Sequence, residues 1–92
     1  MTIETVMQEV EEREKQLTAL RKLWSVTVGV HVPSVVQFTT WLALHSFEDV
    51  VQGIRITSKK FQKMDGDMSA SHLVRFNSSV MNYRKSTRQE AA

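Results

Sequence analysis

Residues 24–34 read Trp-Ser-Val-Thr-Val-Gly-Val-His-Val-Pro-Ser, with an apolar side chain at almost every second position. Such alternation is typical of a β-strand, and valine favours strands. A lone strand, however, leaves its backbone hydrogen-bonding groups without a neighbour. No other segment alternates convincingly, so a strand here could pair only with itself, in a dimer or in a hairpin folded at Gly29.

The same stretch can also be interpreted as a helix end followed by a connection. The first helix would then run to about Val28, with Gly29 in the left-handed conformation that follows many helices. Val32 precedes a proline and is pushed out of the α region. Pro33 and Ser34 are typical of the start of a helix. We favour this interpretation because it explains the glycine, the proline and the serine together.

The whole chain is then predicted to be all-α, a small four-helix bundle with a long N-terminal helix. Polar residues mark the starts of the later helices, at Ser34, Ser46 and either Ser69 or Ser71. Gly53 lies inside the third helix, where we expect it to let another helix come close. The single domain at 1–92 divides into an N-terminal amphipathic helix at 1–28, a three-helix core at 29–85 and a frayed tail at 86–92.

An apolar stripe runs along the first helix at alternating steps of three and four, interrupted by Arg13. This is heptad spacing. The stripe consists of Ile3, Val6, Val10, Leu17, Leu20 and Trp24. It could pack on the protein's own helices, or it could associate with a second copy or another helical protein. The short chain favours a partner, because about 90 residues bury only a modest core.

Composition limits the class of protein. The 92 residues are 41% apolar and 24% charged, as in an ordinary globular domain. Because cysteine is absent, disulfides and thiolate metal sites are excluded. The first residues lack the apolar segment of a signal peptide, and no apolar run approaches the ~20 residues of a membrane span. We therefore expect a cytoplasmic protein that does not insert into a membrane.

No pattern in the chain predicts catalysis. The turn Asp65-Gly66-Asp67 resembles a calcium loop only superficially, because Ala70 and Phe76 stand where an EF-hand needs its glycine and its glutamate. The three histidines show no metal-ligand spacing. Glycine-rich phosphate loops and a nucleophile elbow are also missing. We expect no enzyme activity, no cofactor and no metal.

The formal charge of +2 conceals an uneven distribution. Residues 1–22 contain five acids and four bases, whereas residues 55–88 contain eight bases and two acids. A basic half is typical of a surface that meets nucleic acid or another polyanion, although a solvated helix face is the alternative. The candidate nucleic-acid-binding residues are Lys59, Lys60, Lys63, Arg75, Tyr83, Arg84, Lys85 and Arg88. Among them Tyr83 lies off the apolar stripe of its helix and is the better candidate for stacking on a base.

The order of these features resembles the C-terminal helical domain of DnaD-like replication proteins, found in bacterial primosomes and phage replisome organisers. The resemblance covers about residues 20–85. It rests on the helix end at Gly29, the Pro-Ser helix start, the pair Phe38 and Trp41, the helix Phe-Glu-Asp-Val-Val-x-x-Ile at 47–54 and the helix Phe-Asn-Ser-Ser-Val-Met-Asn-Tyr-Arg at 76–84.

In that family the last helix carries a Tyr-x-x-x-Ile-x-x-x-Trp motif implicated in DNA binding. Phe76, Val80 and Arg84 stand at the corresponding positions, with Arg in place of Trp and Tyr83 one residue earlier. The first helix stands where the family has a winged-helix domain, so the resemblance implies a separate module. It further implies a role in replication or recombination, of a phage or mobile-element type.

Two functions follow as expectations. The first is a non-enzymatic DNA-associated module that binds through a basic helical face and forms a homodimer through its first helix. The alternative is a protein–protein adaptor that self-associates, or docks on a partner, through the same helix and has no nucleic-acid role. Binding of DNA that weakens with salt distinguishes them.

Overall fold

The computed structural model describes the backbone of residues 2–91 and the side chains of residues 2–88. It contains four helices, which are α1 (Ile3–Thr27), α2 (Val35–Leu44), α3 (Phe47–Lys63) and α4 (Ala70–Ala91). Residues 2–91 contain no strand. None of the described helices is both long enough and apolar enough to cross a membrane. The prediction of a small all-α domain is confirmed.

Residues 24–29 form the end of α1 and are not part of a strand. The amides of Val28 and Gly29 both donate to the carbonyl of Trp24, at 2.8 and 3.0 Å, and Gly29 adopts a φ of +84°. The hydroxyl of Ser58 in α3 donates to the last helical carbonyl, that of Thr27, at 3.0 Å. Because this contact satisfies one of the orphan acceptors of the helix end, α3 helps to fix where α1 stops.

Serine side chains begin the later helices, as the sequence indicates. The hydroxyls of Ser34 and Ser46 accept the amides of Gln37 and Asp49, each at 3.2 Å. Of the two alternatives for α4, Ser69 is the cap, since its hydroxyl accepts the amide of His72 at 3.2 Å. Each bond satisfies a donor that would otherwise be orphaned in the first helical turn, which contributes roughly 1 kcal/mol.

Three aromatic side chains form the centre of the core. The rings of Trp24 and Trp41 stack at a centroid distance of 6.4 Å, and Phe38 meets both of them edge to face. Each indole N–H has a partner, because Trp24 donates to the carbonyl of Val30 and Trp41 to the hydroxyl of Ser78. The aromatic cluster therefore joins α1 and α2. Its two indole N–H groups are hydrogen-bonded to the connecting loop and to α4.

The core is shared by all four helices rather than confined to residues 29–85. Leu20 and Trp24 of α1 are completely buried, as are Ile54 of α3 and Leu73 of α4. The reason is that the C-terminal half of the α1 stripe is covered by α2 and α3. The first helix is thus an integral part of the domain from about Leu17 onward.

The helices α3 and α4 pack closely in antiparallel fashion at Gly53. A Cβ atom at this position would lie 2.6 Å from the Oδ1 atom of Asn77 and 2.9 Å from Cγ of Met81. One turn further along α3, the hydroxyl of Thr57 donates to the same Oδ1 atom at 3.3 Å. The expectation that this glycine lets another helix come close is confirmed.

One boundary differs from the sequence interpretation. The sequence predicts a frayed tail at 86–92, whereas α4 continues to Ala91 and Ala92 lies outside the described residues. No glycine or proline interrupts the segment. In addition, the side chain of Arg88 is bound to Asp49 of α3, which holds this part of α4 against the domain.

Candidate functional site

The solvent face of α3 carries a row of positive charges, which we call the basic ridge and define as Arg55, Lys59, Lys60 and Lys63. All four side chains are exposed. Arg55, Lys59 and Lys63 follow one another at intervals of four, so they lie on one face of the helix. Within residues 2–88, none of the four makes an ion pair. The ridge therefore presents four uncompensated charges over about 12 Å.

Two of the predicted DNA-binding residues have an intramolecular partner instead. The Nη1 atom of Arg88 donates to Oδ1 of Asp49 at 2.7 Å, and its Nη2 atom donates to the other carboxylate oxygen. The Nε atom of Arg84 also donates to Oδ1, at 3.3 Å. Because the two guanidinium groups share this completely buried carboxylate, part of their positive charge is compensated within the fold.

Two opposing effects act on the carboxyl group of Asp49. Burial by itself raises the pKa of Asp49, because it penalises the charged form. The hydrogen bonds and charges of Arg88 and Arg84 outweigh burial, so the pKa of Asp49 lies below its ordinary value. The carboxylate is therefore ionised at neutral pH and acts as a structural anchor between the start of α3 and the end of α4.

Sequence reasoning missed the role of Asp49, which enters it only as part of the helix at 47–54. A signal was nevertheless present. Arg84 and Arg88 continue the buried face of α4 beyond Asn77 and Met81, at steps of three and four. Two bases on the buried face of one helix, opposite an acid on the buried face of its antiparallel neighbour, indicate an ion pair.

A second polar group lies beside this anchor, at the end of α2. The Nδ1 atom of His45 is buried without a hydrogen-bond partner, and the Nζ atom of Lys85 donates to the carbonyl of Leu44 at 3.4 Å. Burial lowers the pKa of His45, and the charges of Lys85 and Arg88 lower it further, against the opposing effect of Asp49. Burial and the two neighbouring positive charges therefore favour the neutral form of the imidazole.

The two remaining predicted residues are exposed. Tyr83 is 73% exposed and thus free to contact a ligand, and Arg75 is exposed near the start of α4. Since α3 and α4 are antiparallel, Arg75 lies towards the end of the pair that carries Lys59–Lys63. Tyr83 lies towards the opposite end, level with the first turns of α3.

The structure therefore does not gather the eight predicted residues into one surface. Lys59, Lys60 and Lys63 occupy the end of α3, whereas Arg84 and Arg88 lie level with Asp49 near its beginning. At 1.5 Å per residue, the two groups are about 15–20 Å apart along the helix axis. The basic ridge and the C-terminal end of α4 are separate surfaces.

The first half of α1 contains the second candidate surface. Every residue from 3 to 14 is exposed, and we call this segment the N-terminal arm. Its apolar stripe consists of Ile3, Val6 and Val10, joined by the neighbouring Met7. Of the other residues predicted for self-association, Leu17 is partly buried while Leu20 and Trp24 are completely buried in the core. A partner can therefore reach only the first half of the predicted stripe.

The third candidate surface is the outer side of α2. Val35, Val36 and Leu44 are exposed there, and with Thr39, Thr40 and Ala43 they line a shallow apolar depression. We call this surface the α2 face. The sequence places Val35 on the same apolar side as Phe38 and Trp41, but the structure exposes it. The reason is that α2 is apolar almost all round, so periodicity alone does not distinguish its buried side.

The positions quoted for the DnaD-like resemblance lie mostly inside the fold. Phe76 and Val80 are partly buried, and Arg84 is bound to Asp49. Among the described residues, no group of three histidine, aspartate or glutamate side chains could hold a metal ion. Comparisons with protein-family models, with curated proteins and with solved structures find no match to this chain.

Proposed function

We propose that this protein is a non-enzymatic DNA-associated module that binds DNA through the basic ridge of α3. The observation that carries the proposal is the absence of any ion pair to the ridge within residues 2–88. Phosphate contacts supply most of the affinity in non-specific DNA binding, and lysine and arginine side chains make them. A rigid helix that displays four such side chains is suited to follow a phosphate backbone.

The proposed contacts with DNA are made by Lys59, Lys60 and Lys63, and Arg55 joins them because it lies on the same exposed face of α3. Arg75 is exposed on α4 and is not part of the basic ridge. Arg84 and Arg88 act as structural residues in this proposal, because a buried carboxylate occupies them. The proposed pathway is replication or recombination of a phage or mobile-element type, and it rests on the resemblance to DnaD-like proteins.

The test is fluorescence anisotropy with labelled single- and double-stranded DNA at two salt concentrations. The variant Lys59→Glu/Lys60→Glu/Lys63→Glu should bind more than about tenfold more weakly at low salt, with a salt slope smaller by about three. Its matched control is Lys15→Glu/Arg21→Glu/Lys22→Glu, which makes the same charge change at exposed positions of α1. Equal loss in both variants, or no binding by the unaltered protein at low salt, would overturn the proposal.

The protein–protein adaptor is the second candidate function. The observation that favours it is the exposure of Ile3, Val6 and Val10 on the N-terminal arm, since a folded chain rarely exposes a contiguous apolar surface without use. If the adaptor proposal is correct, Val6→Glu/Val10→Glu abolishes association with the partner while the domain stays folded. DNA binding at low salt that depends on the basic ridge would instead support the first function.

A further inference from the structure

The protein exposes two apolar surfaces on different elements, the N-terminal arm and the α2 face. Ile3 and Val36 are the most exposed large residues of each, at 80% and 75%. The two surfaces are similar in length, because the arm of twelve residues measures about 18 Å and the ten residues of α2 about 15 Å. Each surface is therefore long enough to cover the other.

We infer that the N-terminal arm of one copy docks on the α2 face of a second copy of this chain. Charge favours this occupant. The arm contains five acids and one base, so its net charge is −4, whereas residues 15–88 contain eleven bases and four acids, a net charge of +7. Two arms repel each other, but an arm is attracted to the body of another copy. The inference rests on the exposed N-terminal arm that the adaptor proposal also uses, and it is independent of DNA.

The arm of the same chain is not available to its own α2 face. Neither glycine nor proline interrupts α1 between Ile3 and Thr27, so the helix has no point at which it could fold back. The end of α1 packs through Trp24 against Phe38 and Trp41, on the buried side of α2. The arm continues in the direction set by that contact, and the occupant of the α2 face must come from another molecule.

The α2 face suits the apolar side of an amphipathic helix. Residues 34–46 contain no aspartate, glutamate, lysine or arginine, so an arm that docks there buries no charge of the receiving helix. At the end of α2, the ammonium group of Lys85 contacts the carbonyl of Leu44. This positive group at the edge of the face is placed to attract glutamates of the arm. Two such contacts, related by a two-fold axis, close a dimer.

Cross-linking tests the arrangement directly, because the chain contains no cysteine and an introduced thiol is unique. The variants Val6→Cys and Val36→Cys are mixed in equal amounts and oxidised. The expected major product is the disulfide between the two different variants. The control mixture pairs Val6→Cys with Asn82→Cys, an exposed position on α4, and should give little product. Predominant cross-linking of Val6→Cys with itself, or equal yields in both mixtures, would overturn the inference.

A measurement of the mass in solution provides a second, independent test. Sedimentation equilibrium of the unaltered chain is expected to show a dimer. The variant Val36→Asp should raise the dissociation constant of the dimer at least about tenfold, since it places a negative charge in the contact, opposite an acidic arm. Asn82→Asp adds the same charge elsewhere and should leave the mass unchanged, and circular dichroism checks that both variants keep their helices. A monomer at every concentration, or equal effects of the two variants, would refute the docking whatever the DNA measurements show.

Discussion

Gly53 of α3 faces Asn77 of α4 so closely that the structure leaves no room for a side chain at position 53. A Cβ atom there would lie 2.6 Å from the Oδ1 atom of Asn77, which is completely buried and accepts a hydrogen bond from Thr57. The amide Nδ2 atom of the same asparagine is buried without a partner. The closest approach of the two helices therefore coincides with a polar group that cannot easily move.

The substitution Gly53→Ala is expected to destabilise the protein. Alanine gains about 1 kcal/mol over glycine in a helix interior. Overpacking of a rigid interior costs about 1–3 kcal/mol, and Asn77 cannot yield without breaking its bond to Thr57. We expect a net loss of about 1 kcal/mol in the free energy of unfolding, measured by urea denaturation.

The background variant Asn77→Ala provides the control for this prediction, because it removes the Oδ1 atom that a Cβ would meet. In that background Gly53→Ala should cost at least about 1 kcal/mol less than in the unaltered chain, since only the flexible side chain of Met81 then lies close to the added Cβ. An identical cost in both backgrounds would show that the contact with Asn77 is not the cause.

The second prediction concerns the buried carboxylate of α3. Asp49→Asn leaves Arg84 and Arg88 without their anionic partner. Hydrogen bonds to charged groups contribute about 1.5–3 kcal/mol, and partial exposure of the arginines reduces the figure. We expect a loss of about 2 kcal/mol in the free energy of unfolding at pH 7. Glu48→Gln, one residue earlier and exposed, is the matched control and should change stability by less than about 0.5 kcal/mol.

The loss at Asp49 has a definite pH dependence. Because the pKa of Asp49 is lower in the folded state than its ordinary value near 3.9, its contribution is fully present above that value. It is lost as the pH falls through the folded-state pKa. The difference in stability between the unaltered chain and Asp49→Asn should therefore shrink as the pH falls below about 4. A difference that persists unchanged at low pH would contradict the ion-pair interpretation.

The third prediction concerns His45, whose pKa is lowered by burial and by Lys85 and Arg88, against the effect of Asp49. The unfolded chain then binds a proton near pH 6.5 that the folded chain does not bind. The free energy of unfolding should therefore have its full value above pH 6.5 and decrease as the pH falls below 6.5. His45→Gln should remove this slope between pH 7.5 and 5.5, whereas the exposed His72→Gln should retain it.

The fourth prediction separates stability from DNA binding. Arg88→Gln should lower the free energy of unfolding, because it removes hydrogen bonds to a buried carboxylate, and should change DNA affinity little. Lys63→Gln should weaken DNA binding and leave the free energy of unfolding nearly unchanged, since its exposed side chain makes no ion pair within residues 2–88. Thermal denaturation and anisotropy on the same samples check the pair. The opposite pattern would move the DNA-binding surface from α3 to the end of α4.

Local patterns predict the helices well because their causes are local. Ser34 and Ser46 satisfy backbone amides three residues away, and Gly29 adopts the left-handed conformation that ends α1. The helix starts, the helix-end interpretation of residues 24–32 and the close approach at Gly53 all follow from neighbours in the chain or from one helix face.

The candidate surfaces depend on long-range contacts, and periodicity does not show these. Asp49 and Arg88 are 39 residues apart in the chain, so a count of bases assigns Arg88 to a free surface. The stripe of α1 keeps its heptad spacing on both sides of Arg13, yet the domain covers Leu20 and leaves Val6 exposed. Which half of a stripe is buried depends on the position of α2 and α3, and the spacing within α1 carries no such information.

The uninterrupted course of α1 fixes the phase of the N-terminal arm relative to the domain. Each residue inserted between the arm and Leu17 would rotate the stripe by about 100° and advance it by about 1.5 Å. An insertion of seven residues nearly restores its direction, while an insertion of two turns it to the far side of the helix. The first half of α1 therefore continues the axis of the packed half, and the aromatic packing at Trp24 sets the direction in which Val6 and Val10 are presented.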